Sequence, residues 1–185
     1  MKSNTFLAML IVLTSLLSTL SLAKADEQNV FFGVNYSIQV YSNDTLDSTY
    51  TPTVALMRLG VDVVDAFGFE ARYGFSVTAD SQTESNNTVE LTNTAMMGLY
   101  AKPRFMITST AGIYGLVGVT SYDLNLQSNK TLVSHFKKDS SSVSLGLGLE
   151  SRIKKTFLLN AEFVMYSIKS DEVLSGIELG GAFLF

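Results

Sequence analysis

The chain has 185 residues, no cysteine and a formal net charge of −4. Without cysteine it forms no disulfide, thiolate metal site or cysteine nucleophile. Its acidic balance, with no basic run longer than two residues, argues against a nucleic-acid partner, which would need clustered lysine and arginine.

The first 25 residues have the features of a secretory signal peptide. Lys2 is followed by an apolar stretch at 6–22, which ends in a small-x-small pattern at 23–25. We predict cleavage after Ala25 or after Ala23, and a retained transmembrane anchor is the alternative. Residues 26–185 then form one domain with a charge of 11 − 17 = −6, because two lysines leave with the leader.

After the leader, apolar and polar residues alternate with a period of two in eight segments, which is typical of half-buried β-strands. In the first segment, Phe32 and Val34 alternate with Gly33 and Asn35. The segments 89–101 and 111–120 are apolar on both faces, so their facing stays open. In chain order, the predicted strands cover 30–40, 55–62, 67–77, 89–101, 111–120, 143–152, 157–165 and 176–185.

The lengths of the segments and of their connections favour a membrane barrel. Most segments approach the ~9–11 residues of a tilted membrane-crossing strand, whereas strands of soluble proteins average ~5–6. Short connections alternate with long polar ones, which is typical of a barrel whose termini and short turns face the periplasm. We therefore predict an all-β fold, an eight-stranded antiparallel up-and-down transmembrane β-barrel. The predicted long connections are 41–52, 78–88, 121–140 and 167–174, and the short ones are 62–66, 102–110 and 153–156.

Aromatic residues cluster near both predicted barrel ends. Such belts are typical of the two membrane interfaces, so we predict two girdles. The phenylalanine girdle has residues 67, 105, 157 and 185, and the tyrosine girdle has residues 41, 50, 122 and 166.

Charged residues concentrate on the polar face of the strands. The lumen of an eight-stranded barrel is just wide enough for side chains to fill it. Buried charges are costly unless paired, and arginine suits bidentate pairing with carboxylates. We predict a charge network that plugs the lumen, and an ion or proton pathway is the alternative. The predicted members are Arg58, Asp62, Glu70, Arg72, Glu150, Arg152, Glu162 and Glu178.

Catalysis is not indicated. His135 is the only histidine and lies beside Ser134 in a predicted loop, with Asp139 nearby. A catalytic triad needs a base held rigidly within hydrogen-bond reach of its nucleophile, which neighbouring loop residues do not provide. We expect no enzyme activity, no cofactor and no metal, and modification of lipid A involving His135 is the minor alternative.

Three motifs resemble a known family. The C-terminal Leu179-Gly180-Gly181-Ala182-Phe183-Leu184-Phe185, together with 68–74 and 145–150, looks like the small outer-membrane β-barrels of the OmpA/OmpX type, also called the porin family. The resemblance covers essentially all of residues 26–185. It implies a place in the Gram-negative outer membrane, with lipid and lipopolysaccharide as neighbours. It also implies that the barrel assembly machinery reads the last strand as its signal through Leu179, Gly181, Phe183 and Phe185.

The expected function is that of a non-enzymatic surface protein, structural in the envelope or adhesive. The third long loop is locally basic, which suits anionic lipopolysaccharide, glycans, or a host or matrix ligand. A narrow channel for small solutes or ions is the alternative, and we expect a monomer. The surface-loop candidates are Lys130, His135, Lys137 and Lys138.

Overall fold

The protein was analysed as a computed structural model, which describes residues 30–43, 48–84, 87–128, 136–154, 156–169 and 172–185. These residues form ten strands. The predicted leader and its cleavage site lie outside them. The strands are β1 (Val30–Asn43), β2 (Ser48–Tyr50), β3 (Thr53–Val64), β4 (Phe67–Thr78), β5 (Asp80–Glu84), β6 (Asn87–Met106), β7 (Ala111–Ser128), β8 (Phe136–Ile153), β9 (Phe157–Lys169) and β10 (Glu172–Leu184).

Eight long strands close into an antiparallel barrel, which confirms the predicted fold. They follow chain order as β1, β3, β4, β6, β7, β8, β9 and β10, and β10 pairs with β1 to close the ring. The short strands β2 and β5 pair with β1 and β6. We call the end with Val30 and Phe185 the terminal end and the opposite end the distal end. Among the described residues, no helix is long and apolar enough to cross a membrane.

Alternation along each strand sends polar side chains inwards and apolar ones outwards. On β1, Phe31, Asn35 and Gln39 are buried, whereas Phe32 and Ile38 are exposed. Outward-facing apolar residues on all eight long strands form a continuous band around the barrel. Because closure pairs the backbone groups across strands, the barrel leaves no open edge that would be costly in hydrocarbon.

A β-bulge in β6 determines which of its residues face the lumen, which the sequence left open. The β6–β7 register shifts between Asn93 and Ala95. Before the shift, odd-numbered residues such as Leu91 are buried, and after it even-numbered residues such as Met96 and Tyr100 are buried. An extra residue at such a bulge exchanges the two faces of a strand.

Several predicted loops are in fact strand, so the predicted loop boundaries are wrong. Strands β6, β7 and β8 have 20, 18 and 18 residues, and β7 and β8 extend into the predicted loop 121–140. The predicted loop 167–174 is almost entirely β9 and β10, which leave only residues 170 and 171 between them. The physical reason is that the period of two continues through these segments although they are rich in polar residues. On β7, for example, Tyr122 and Leu124 are both buried.

The predicted tyrosine girdle is also wrong. Tyr41, Tyr50, Tyr122 and Tyr166 each expose 3% or less of their surface. They lie in the lumen because they share the inward face of their strands, as Tyr41 does with Gln39. Of the four phenylalanines, Phe105 and Phe185 are exposed on the outside, and the other two are half-buried.

Inward-facing glycines make room for large side chains on the neighbouring strand. Gly148 lies directly opposite Tyr114 in the β7–β8 register. A Cβ atom at position 148 would lie 2.6 Å from the Tyr114 hydroxyl oxygen, well inside van der Waals contact. The Tyr114 ring is held in place, since its hydroxyl donates to Glu162 at 2.7 Å and the Lys102 ammonium lies 4.2 Å from its centroid.

We therefore expect Gly148→Ala to lower the free energy of unfolding by about 1–3 kcal/mol, the usual cost of overpacking. The outward-facing Gly115→Ala is the matched control, because its nearest neighbour would be Pro103 Cγ at 3.3 Å. It should stay within about 0.5 kcal/mol of the parent. Urea unfolding of barrels refolded in lipid vesicles measures both, and equal losses would contradict the packing argument.

Candidate functional site

The lumen is filled by four layers of side chains, and the first is an apolar layer at the terminal end. Phe31, Leu158, Ala182 and Leu184 pack together there and are buried. They come from β1, β9 and β10, which meet where the barrel closes. The Phe31 ring of this layer lies against the charged side chains, with its centroid 5.7 Å from Arg58 Cζ and 5.1 Å from Lys102 Nζ.

The second layer contains two acids and two bases. Arg104 donates two hydrogen bonds to Asp62, at 2.9 and 2.7 Å, in a bidentate pair. Arg104 also pairs with Glu150 through its Nε. Lys102 Nζ, which is almost completely buried, donates to Glu150 at 2.7 Å and lies 5.1 Å from the centroid of Phe31. Each base thus faces a carboxylate, as burial requires.

The third layer is centred on two arginines that are adjacent in the β3–β4 register, Arg58 and Arg72. Arg58 donates to both oxygens of Glu70, at 2.6 and 2.8 Å. Arg72 bridges three carboxylates, those of Glu70 at 2.7 Å, Glu162 at 2.9 Å and Glu178 at 3.1 Å. The ion pairs of this layer join β4 to β3, β9 and β10 through the lumen.

Asparagines contribute further hydrogen bonds to this third layer. Arg58 also donates to Asn35 Oδ1 at 3.0 Å and to Asn160 Oδ1 at 2.6 Å. The amide of Asn35 donates to Glu162 at 2.6 Å and to Glu178 at 3.0 Å. The charges are therefore held by several hydrogen bonds each, which is the condition under which buried ion pairs recover their desolvation cost.

The fourth layer lies towards the distal end and is mainly apolar and aromatic. Within it, Asn93 donates to Gln39 at 2.8 Å, and Tyr122 donates to Glu172 at 2.5 Å. The apolar members pack into one buried cluster, which separates the charged layers from the distal solvent. Its members are Tyr41, Tyr50, Val54, Leu56, Leu91, Met96, Tyr100, Tyr114, Leu116, Tyr122, Leu124, Val164, Tyr166 and Leu174.

The structure places seven of the eight predicted network residues in the second and third layers. The exception is Arg152, whose side chain is exposed near the terminal end of β8, so its prediction is wrong. Arg152 has the inward register of Glu150, but β8 ends at Ile153, where the wall no longer encloses it. The seven buried residues are Arg58, Asp62, Glu70, Arg72, Glu150, Glu162 and Glu178.

Two network members, Lys102 and Arg104, were missed from the sequence. They fell in a predicted connection, whereas β6 continues to Met106. The signal was present, since Gly98, Tyr100, Lys102 and Arg104 keep the period of two. The bulge beyond Asn93 hid it by exchanging the faces of the strand.

The remaining predicted site residues lie on the outside or beyond the described part. Leu179, Phe183 and Phe185 are exposed on the apolar band, and Gly181 is half-buried among them, so their role in assembly stays a prediction. Lys130 and His135 lie outside the described residues. Lys137 and Lys138 belong to β8, opposite Asn125 and Leu124, rather than to a loop. The described residues contain no cluster of three or more potential metal-ligating side chains.

An apolar outer band around a filled, ion-paired lumen defines a small transmembrane β-barrel. Residues 9–181 match the family described as the outer membrane protein β-barrel domain. The chain belongs to that family, and membership implies an outer-membrane location. None of the curated proteins compared matches the chain.

Solved structures share the fold at low sequence identity. The attachment invasion locus protein Ail of Yersinia pestis is 17% identical, with 86% of this chain and 99% of that chain covered and a TM-score of 0.64. Neisserial surface protein A is 12% identical, with 84% and 97% covered and a TM-score of 0.61. The N-terminal barrel domain of Pseudomonas aeruginosa OprF is 18% identical, with 85% and 98% covered and a TM-score of 0.53.

We expect Arg58→Met to lower the free energy of unfolding by about 3–5 kcal/mol, because Glu70 loses its bidentate partner while staying buried. Arg152→Met removes the same charge from an exposed position and should change it by no more than about 0.5 kcal/mol. Urea unfolding in lipid vesicles measures both variants. A small effect at Arg58 would show that the network is not needed to hold the barrel together.

Proposed function

We propose that the protein is a non-enzymatic outer-membrane barrel that does not conduct and that presents its distal hairpins to the cell exterior. The observation that carries this proposal is the filled lumen. Arg58, Arg72 and Tyr114 extend into the lumen from three strands and are fully or almost fully buried. Two buried apolar clusters pack beside the charged layers. Opening a path would require breaking several ion pairs at once, so a packed interior favours a scaffold over a pore.

The shape of the distal end supports a surface role. Strands β6, β7 and β8 have 18–20 residues, about twice the ~9–11 that cross a membrane. The outward face of β7 is apolar up to Val119 and then becomes polar, with exposed Ser121 followed by Asp123 and Asn125. This change marks the distal boundary of the apolar band. The strands beyond it form a wall that projects from the lipid, and we call this wall the distal ridge.

The partner that we propose for the distal ridge is an anionic glycan, such as lipopolysaccharide or a host polysaccharide. The segment that joins β7 to β8, together with the first residues of β8, contains Lys130, His135, Lys137 and Lys138. Three lysines within nine residues attract anionic groups when they lie outside the membrane. Ail, which shares the fold, has been solved with the heparin analogue sucrose octasulfate. For this chain, the same ligand chemistry is a proposal.

Planar-bilayer recordings test the lumen. We expect no stable single-channel openings from purified protein whose folding has been verified by heat-modifiable migration on a gel. The reason is that ion-paired and apolar side chains fill the described part of the lumen. Reproducible openings that scale with the amount of folded protein would support the alternative function, a narrow channel for small solutes or ions.

Charge removal tests the distal ridge. Replacing Lys130, Lys137 and Lys138 with glutamine should weaken binding to immobilised heparin and lipopolysaccharide about tenfold, at roughly 0.5 kcal/mol for each charge removed. The control replaces Arg152, Lys154 and Lys155 with glutamine, which removes the same charge near the turn between β8 and β9. Unchanged binding in the first variant, or equal loss in both, would contradict the proposed ligand site.

A further inference from the structure

We propose that Glu162 and Glu178 form a buried proton-binding site that holds one proton in the folded barrel. Glu162 and Glu178 lie directly opposite each other in the β9–β10 register, and both are buried. The Asn35 amide donates to both carboxyl groups, at 2.6 and 3.0 Å. Arg72 also donates to both, at 2.9 and 3.1 Å. Two neighbouring carboxyl groups that share their donors in this way ionise as a pair rather than independently.

The charge balance of the third layer favours a bound proton. Among the described residues, this layer contains the cations Arg58 and Arg72 and the carboxyl groups of Glu70, Glu162 and Glu178, so full ionisation gives 2 − 3 = −1. An uncompensated charge away from water is strongly disfavoured. One proton on the Glu162–Glu178 pair brings the layer to neutrality.

Neighbouring groups do not supply the missing positive charge. In the second layer, Lys102 and Arg104 face Asp62 and Glu150, which gives 2 − 2 = 0. The phenol groups that reach the third layer are neutral in their ordinary state. Tyr114 donates to Glu162, and the ring of Tyr100 lies against Arg72. The compensating charge must therefore come from solvent.

The surroundings of Glu178 indicate where the proton resides. Glu178 Oε1 has no hydrogen-bond partner in the described part of the chain, and the same holds for Ser37 Oγ. Ser37 lies directly opposite Glu178 in the β1–β10 register. Gly176 keeps space open here, because a Cβ atom at that position would lie 2.8 Å from Ser37 Oγ and 3.3 Å from the Tyr166 ring. Glu178 Oε1 therefore offers a bound proton a buried oxygen that accepts from no other described donor.

A proton fits this site better than a metal cation does. A hard cation needs about six oxygen ligands, whereas a proton needs one acceptor. No group of three or more side chains that could hold a metal ion occurs among the residues that the structure describes. We therefore assign the compensating charge to a proton, and binding of sodium or potassium becomes an outcome of the test.

Infrared spectroscopy tests the proposal on the full barrel refolded in lipid vesicles at pH 7. We expect the wild type to show the carbonyl-stretch band of one protonated carboxylic acid per barrel. The band should vanish in Glu178→Gln, and also in Glu162→Gln, because either change restores neutrality without a proton. Glu90→Gln removes an exposed carboxylate and should leave the band intact.

Absence of the band in the wild type would overturn the proposal, and so would its persistence in both glutamine variants. Loss in only one of them would overturn the shared pair and assign the proton to that residue alone. The wild-type measurement decides the matter even if a variant does not fold. In the absence of the band, a change in stability when sodium and potassium are replaced by tetramethylammonium would assign the charge to a metal cation instead.

Discussion

The narrow lumen of an eight-stranded barrel is the constraint on which the rest of this structure depends. Once β10 pairs with β1, the interior has a fixed width that side chains alone must fill. The outward face contacts lipid, where a charged side chain is costly. The charged residues of the membrane-crossing strands therefore point into the lumen. Size and charge therefore have to be matched within the lumen, residue by residue across neighbouring strands.

Size matching is visible in the pairing of large and small inward residues. Gly98 lies opposite Thr120 and beside Tyr100, and Gly148 lies opposite Tyr114. Charge matching follows the same geometry, because Arg58 and Arg72 are cross-strand neighbours that share Glu70 as an acceptor. Like charges placed side by side repel unless an acid lies between them, so the position of Glu70 determines that both arginines can be buried.

The sequence predicts the position and facing of the regular strands better than it predicts where a strand changes register or ends. On β1 and β4 the alternation is uninterrupted, so strand, facing and the inward positions of Glu70 and Arg72 all follow from the period of two. Prediction fails where the period changes, as at the β6 bulge that hid Lys102 and Arg104, because no local signal tells which strand acquires an extra residue. It fails again where enclosure ends, since register alone does not tell that β8 leaves Arg152 outside the lumen.

Residue type alone predicts the wrong location for the four tyrosines near the distal end. The tyrosines near the distal end suggest an interfacial belt by residue type, yet Tyr41 shares its face with Asn35 and Gln39, and burial follows the face.

The same tyrosines have a physical consequence for the charged layers. Together with Leu116 and Leu174, they form the apolar layer between the third layer and the distal solvent. Phe31 and Leu158 pack at the other end, so the fully buried charges of the third layer can change only when packed side chains move. Stable packing and a fixed internal charge are therefore two consequences of the same closed interior.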